Sequence, residues 1–98
     1  MAKYYDVKIT LVSQLKNCPA GHKVGDEFIV SNKTPAGMCM GAFCSLMPYI
    51  QVLKFGGAFF WVKEEGVGTM CCPDPNVVNT FRLQRLPASE PVHDSYDD

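Results

Sequence analysis

Tyr5, Val7, Ile9 and Leu11 alternate with Asp6, Lys8 and Thr10. That period of two predicts a strand with one dry and one wet face. Residues 16–27 carry Pro19, Gly21 and Gly25 as breakers and predict a loop. Phe28, Ile29 and Val30 then predict a short second strand that closes at Ser31-Asn32. Thr34-Pro35 predicts a helix start, because Thr can cap and Pro suits the first helical position. Met38, Ala42, Leu46 and Tyr49, with Cys39, Phe43, Ile50 and Leu53, form a wide apolar face at helical spacing. Pro48 inside that pattern predicts a kink or a second short helix, and Gly56-Gly57 predict its end.

Residues 58–62 (AFFWV) predict a buried strand or an apolar loop laid over the core, and 63–68 a turn. Residues 69–72 predict a short strand stopped by Pro73-Asp74-Pro75, and 77–83 a last strand. The order β-β-α-(α)-β-β predicts a small α+β domain. Its antiparallel sheet carries one kinked or two short helices packed on one face. No internal repeat is visible.

Ninety-eight residues suit one domain, and the charge places its end. From 87 to 98 there are four acids, two prolines counting Pro87 and Pro91, and no Lys or Arg. Residues 1–86 therefore read as the folded domain and 87–98 as a disordered acidic tail. The first 86 residues hold nine bases against six acids, a net of +3 without clustering. That balance argues against a nucleic-acid partner. The longest apolar stretch, 38–55, is broken by Ser45, Pro48, Gln51 and Lys54, so no membrane span is expected. The opening MAKYYDVKI has no apolar signal region, so a cytoplasmic location is expected, where disulfides rarely persist. An odd count of five cysteines also fits a disulfide framework badly and points to reduced thiols.

Those cysteines divide by position. Cys18 and His22 stand four apart in a loop, a spacing at which a thiolate and an imidazole can meet one ion. Cys39 and Cys44 lie five apart on the predicted helix, about 140° around its axis, and cannot both face one metal. Cys39 sits near the helix start, where oriented N–H groups favour a thiolate, and Cys44 is expected to pack in the core. Cys71 and Cys72 are neighbours on an extended segment, so only one should look inward; Cys72 precedes Pro73, as at the end of an iron–sulfur ligand run. Cys18, His22, Cys39 and Cys72 thus form a candidate Cys3His metal set, suited to zinc or an iron–sulfur cluster. The paired C-x2-C spacing of the commonest such sites is missing.

The same stretches carry a family resemblance. The chain reads Cys18-x-x-Gly21-His22-Lys23-x-Gly25-Asp26-x-Phe28, then Thr34-Pro35-x-Gly37-x-Cys39-x-x-Ala42-Phe43. Leu46-x-Pro48-Tyr49-Ile50, Leu53-x-Phe55-Gly56-Gly57, Trp61 and Cys72-Pro73-Asp74-Pro75 follow. This resembles a family of small, largely uncharacterised prokaryotic proteins, common in anaerobes and sometimes repeated within longer chains. The resemblance runs from the first strand to about Leu86. It implies that Cys18, His22, Cys39 and Cys72 belong together, while Cys44 and Cys71 are particular to this chain. It implies no reaction.

Three functions follow as expectations. The first is a metal-binding accessory or electron-transfer protein. The second is a metal-free interaction subunit that docks on a larger enzyme through its aromatic segment from Phe55 to Trp61, and a protein partner or a homo-oligomer is expected. The third is a small enzyme with Cys39 or Cys72 as nucleophile and His22 as base. Asp26 beside His22 and Lys23 reads as turn chemistry, its carboxylate bonding local N–H groups. His93 falls in the tail and is expected to be inert.

Overall fold

A computed structural model describes residues 4–88 of the chain. It contains β1 (Tyr5–Ser13), β2 (Glu27–Val30), α1 (Met40–Lys54), β3 (Val67–Cys71) and β4 (Thr80–Ala88). The strands form one antiparallel sheet in the order β2-β1-β4-β3. The α+β class expected from the sequence is the class observed.

Strand alternation builds the core. Val7, Ile9 and Leu11 of β1 are fully buried, as are Phe81 and Leu83 of β4. They face Ala42, Leu46, Ile50 and Leu53, the inner stripe of α1. On the opposite side of the sheet Lys8 pairs with Gln84 and Thr10 with Arg82, which keeps that face polar. Among the described residues, no helix is long and apolar enough to cross a membrane.

One helix runs through Pro48, and among the described residues no second helix follows it. The proline costs about 3 kcal/mol by removing one backbone bond and crowding the preceding turn. Burying Leu46, Ile50 and Leu53 returns roughly 4–9 kcal/mol, so packing outweighs the local defect. Pro48 lies on the solvent side, and so does Cys44, whose carbonyl would otherwise have received the missing N–H. The expected burial of Cys44 is therefore corrected: it lies about 200° from Ala42 around the axis and is exposed.

The helix also begins later than Thr34-Pro35. Gly37 takes a φ of 80°, which stops helical propagation, and Cys39 is the N-cap with extended backbone (φ −58°, ψ 132°). Its end follows expectation. Gly56 has a φ of 87°, its N–H bonds Leu53 O, and Gly57 N–H bonds Val52 O, a Schellman arrangement.

Residues 58–62 form a loop, with Phe59 buried and Phe60 and Trp61 exposed. Phe59 packs where Gly68 has no side chain; a Cβ there would lie 2.9 Å from its ring. The last strand starts at Thr80, not 77, and runs past the expected domain boundary at 86. The register shift between the pairs Val7–Arg85 and Tyr5–Ala88 leaves room for Pro87, which has no N–H to offer a ladder. Residues 89–98 of the expected tail, His93 included, lie outside the described residues.

Candidate metal centre

Three separated segments meet at the end of the sheet where α1 begins. Between them lies a cavity of about 280 Å³, with Cys18, His22, Cys39 and Cys72 all on its wall. Gly41 and Asn79 contribute to the same wall.

The first segment is the loop between β1 and β2. Leu15 N–H bonds Val77 O at 2.9 Å, which ties the start of this loop to the approach to β4. Gly21, with a φ of 85°, reverses the chain and returns its N–H to Cys18 O at 2.9 Å. Asp26 Oδ2 accepts the Lys23 N–H at 2.9 Å, the turn role expected of it. The loop thus sets Cys18 and His22 on the cavity by ordinary turn chemistry.

His22 is buried against the edge of Phe28, with ring centroids 5.4 Å apart. Its Nε2 accepts the peptide N–H of Cys39 at 2.9 Å. An accepting Nε2 leaves the proton of the neutral imidazole on Nδ1, which lies 4.0 Å from Asp26 Oδ2. The imidazole therefore does the work of an N-cap, holding one of the N–H groups at the helix end from outside the helix. This commitment bears on two of the expected roles. Coordination of a metal by Nε2 would require the Cys39 N–H to be released. The nitrogen on the Cys39 side also faces a peptide N–H and not a thiol, so no thiol–imidazole pair for nucleophilic catalysis is formed at Cys39.

Cys39 is the second contribution, fixed as N-cap by that bond. The third is the connection between β3 and β4. Cys71, the last residue of β3, is exposed, while Cys72 turns towards the core and the cavity. Strand alternation thus separates the two neighbours as expected. The Cys72 N–H bonds Asn79 O at 2.9 Å, closing a loop in which Asp74 O accepts the N–H groups of Val77 and Val78. Val78 has a φ of 49°, a left-handed conformation that costs a β-branched residue on the order of 1–3 kcal/mol. Val77 and Asn79 on either side of it are both buried in the cavity wall.

Convergence on one cavity is not yet coordination. Among the described residues, no three His, Cys, Asp or Glu side chains are grouped closely enough to hold an ion. The thiols surround an open space, with the ligand types present and the ligand spacing not drawn in.

Two polar residues of the site carry no signal in the hydrophobic pattern. Gln14 Nε2 donates to His22 O at 2.8 Å and to Asn79 Oδ1 at 2.9 Å, tying the two walls together. Asn79 is only 1% exposed, an unusual setting for an amide. In the sequence both look like ordinary polar residues beside a turn. Comparison with protein-family models, with curated proteins and with solved structures found no match.

Proposed function

We propose that the protein binds a soft metal centre, a zinc ion or an iron–sulfur cluster, through the thiolates of Cys18, Cys39 and Cys72. In this reading it is a small accessory or electron-transfer protein. The observation that carries the reading is the meeting of three thiols, up to 54 positions apart in the chain, on one cavity wall while Cys44 and Cys71 stay outside. Thiolates select zinc and iron–sulfur centres over magnesium or calcium. His22 fixes Cys39 through the peptide N–H and acts as a positioning residue.

Protein purified without oxygen should carry zinc or iron, read by elemental analysis and the visible spectrum. Cys39→Ser should remove it, and Cys44→Ser should leave it bound. Metal-free wild-type protein from that preparation would sink the proposal.

A second reading, docking on a protein partner or a second copy, draws on the aromatic loop. Phe60 is 96% exposed and Trp61 56%, in edge-to-face contact 5.0 Å apart. Exposed aromatic clusters of this kind mark interfaces. Trp61 is the chain's one tryptophan, so its emission reports the loop directly. Self-association would shift that emission to the blue with concentration, and Phe60→Ser would abolish the shift; emission independent of concentration excludes the second copy.

A further inference from the structure

The two outer strands of the sheet are finished differently. β2 has four residues, and its Glu27 lies 3.7 Å from Lys8, so charge blunts that edge. β3 reads Val67-Gly68-Thr69-Met70-Cys71, with no charge and no proline. The acids that precede it, Glu64 and Glu65, stand 3.5 and 3.6 Å from Arg82 and Arg85 of β4 and are neutralised there. Arg85 N–H bonds Gly66 O at 2.7 Å, and the register sets Val67 opposite Gln84. Antiparallel alternation therefore turns the backbone groups of Gly68 and Met70 towards β4 and those of Val67, Thr69 and Cys71 away from it. Ser45 Oγ donates to Cys71 O at 3.0 Å, in keeping with that outward direction. Among the described residues, nothing bonds the N–H or C=O of Thr69 on that side, and Thr69 is exposed. An uncharged edge with open backbone groups is a template for another strand.

A projection and a recess flank this edge on the helix side. Phe59 packs over Gly68, Trp61 stacks on Phe59 at 5.1 Å, and Phe60 meets Trp61 edge-on. The aromatic loop thus stands beside the first half of β3. Beside the second half lies a cavity of about 500 Å³, with Ser45, Tyr49, Met70 and Val78 on its wall. A two-fold axis through Thr69 pairs β3 antiparallel with its own copy and sets Gly68 opposite Met70 of the other copy. The ring stack over Gly68 then faces the recess beside that Met70, and symmetry repeats the contact. Phe60 and Trp61, 96% and 56% exposed, offer roughly 300 Å² of aromatic surface per copy. That is about half of the ~600 Å² per partner of the smallest stable interfaces, and the paired edge adds to it.

We infer that the protein forms a two-fold dimer in which β3 pairs with β3 of a second copy, each aromatic loop seated in the other copy's recess. The inference rests on the second reading above, docking through the aromatic loop, and not on the metal centre. It names the partner as this same chain and Thr69 as the centre of the contact.

The test follows the full chain by sedimentation velocity from micromolar to millimolar concentration, joined to hydrogen exchange read residue by residue. A dimer should form as concentration rises. Thr69 N–H should exchange at least tenfold more slowly in the dimer than in the monomer. Ile29 N–H, which points off the opposite edge at β2, should exchange alike in both. Phe60→Ser, at an exposed position, should weaken dimerisation at least tenfold. A dimer in which Thr69 exchanges as in the monomer would overturn the β3 pairing, while leaving the aromatic loop to meet a second copy in another way. A dimer indifferent to Phe60→Ser would overturn this inference and the aromatic reading together. A chain monomeric throughout would overturn this inference and leave only a different protein as the partner of that loop.

Discussion

Replacing His22 tests how the site is held. Its imidazole supplies the acceptor for the Cys39 N–H at 2.9 Å and the ring that meets Phe28 edge-on at 5.4 Å. His22→Leu removes both. An unpaired N–H in that setting costs about 1–3 kcal/mol, and the lost aromatic contact about 0.5–1.5 kcal/mol. Together they amount to about 2–4 kcal/mol. His22→Gln keeps an acceptor oxygen at a similar reach and loses only the ring contact, about 1 kcal/mol. For a domain of this size each kcal/mol shifts the midpoint by about 4–8 °C. Thermal unfolding of metal-free protein should therefore show His22→Leu at least ~8 °C below wild type and His22→Gln only about 4–8 °C below. Metal content then separates positioning from ligation. The glutamine variant should retain full metal, because a carboxamide replaces the hydrogen-bond acceptor and not a metal ligand. Equal destabilisation of the two variants would refute the capping role, and loss of metal from the glutamine variant would refute the three-thiolate set.

Two further outcomes concern the frame around the cavity. Gln14→Ala removes bonds of 2.8 and 2.9 Å and strands the Asn79 amide, so chemical denaturation should show a loss of about 2–3 kcal/mol; a loss below ~0.5 kcal/mol would mean that the two walls are not held by Gln14. Val78→Asn puts a residue tolerant of the left-handed region at φ 49° and should raise stability by about 1 kcal/mol in the same assay, where a decrease would show that the valine side chain contributes more than its backbone strain costs.

Much of the fold is legible because local and tertiary forces agree. The alternation of Val7, Ile9 and Leu11 marks the three residues of β1 that are fully buried, and Gly56-Gly57 supply the left-handed stop that ends α1. The helix start is not legible, because its deciding hydrogen bond comes from His22, 17 positions away, while Thr34-Pro35 satisfies every local rule without starting a helix. Cys44 misleads for a related reason. The apolar face read from the sequence is wide, and only packing shows that its centre runs along Ala42, Leu46, Ile50 and Leu53, leaving Cys44 on the far side. The cysteines and His22 draw attention by their chemistry, which is why they could be grouped before their positions were known. Gln14 and Asn79 draw none, since an amide reveals its role only when it is found buried.

The central claim, a metal held by three thiolates at the start of α1, is tested most directly by X-ray absorption at the metal edge of protein purified without oxygen. For bound zinc, the account predicts three sulfur scatterers at about 2.3 Å and one lighter atom at about 2.0–2.1 Å, with the metal lost in Cys72→Ser as in Cys39→Ser. For an iron–sulfur cluster the same substitution should lower cluster content. A shell of only nitrogen and oxygen, or no metal at all, would contradict it.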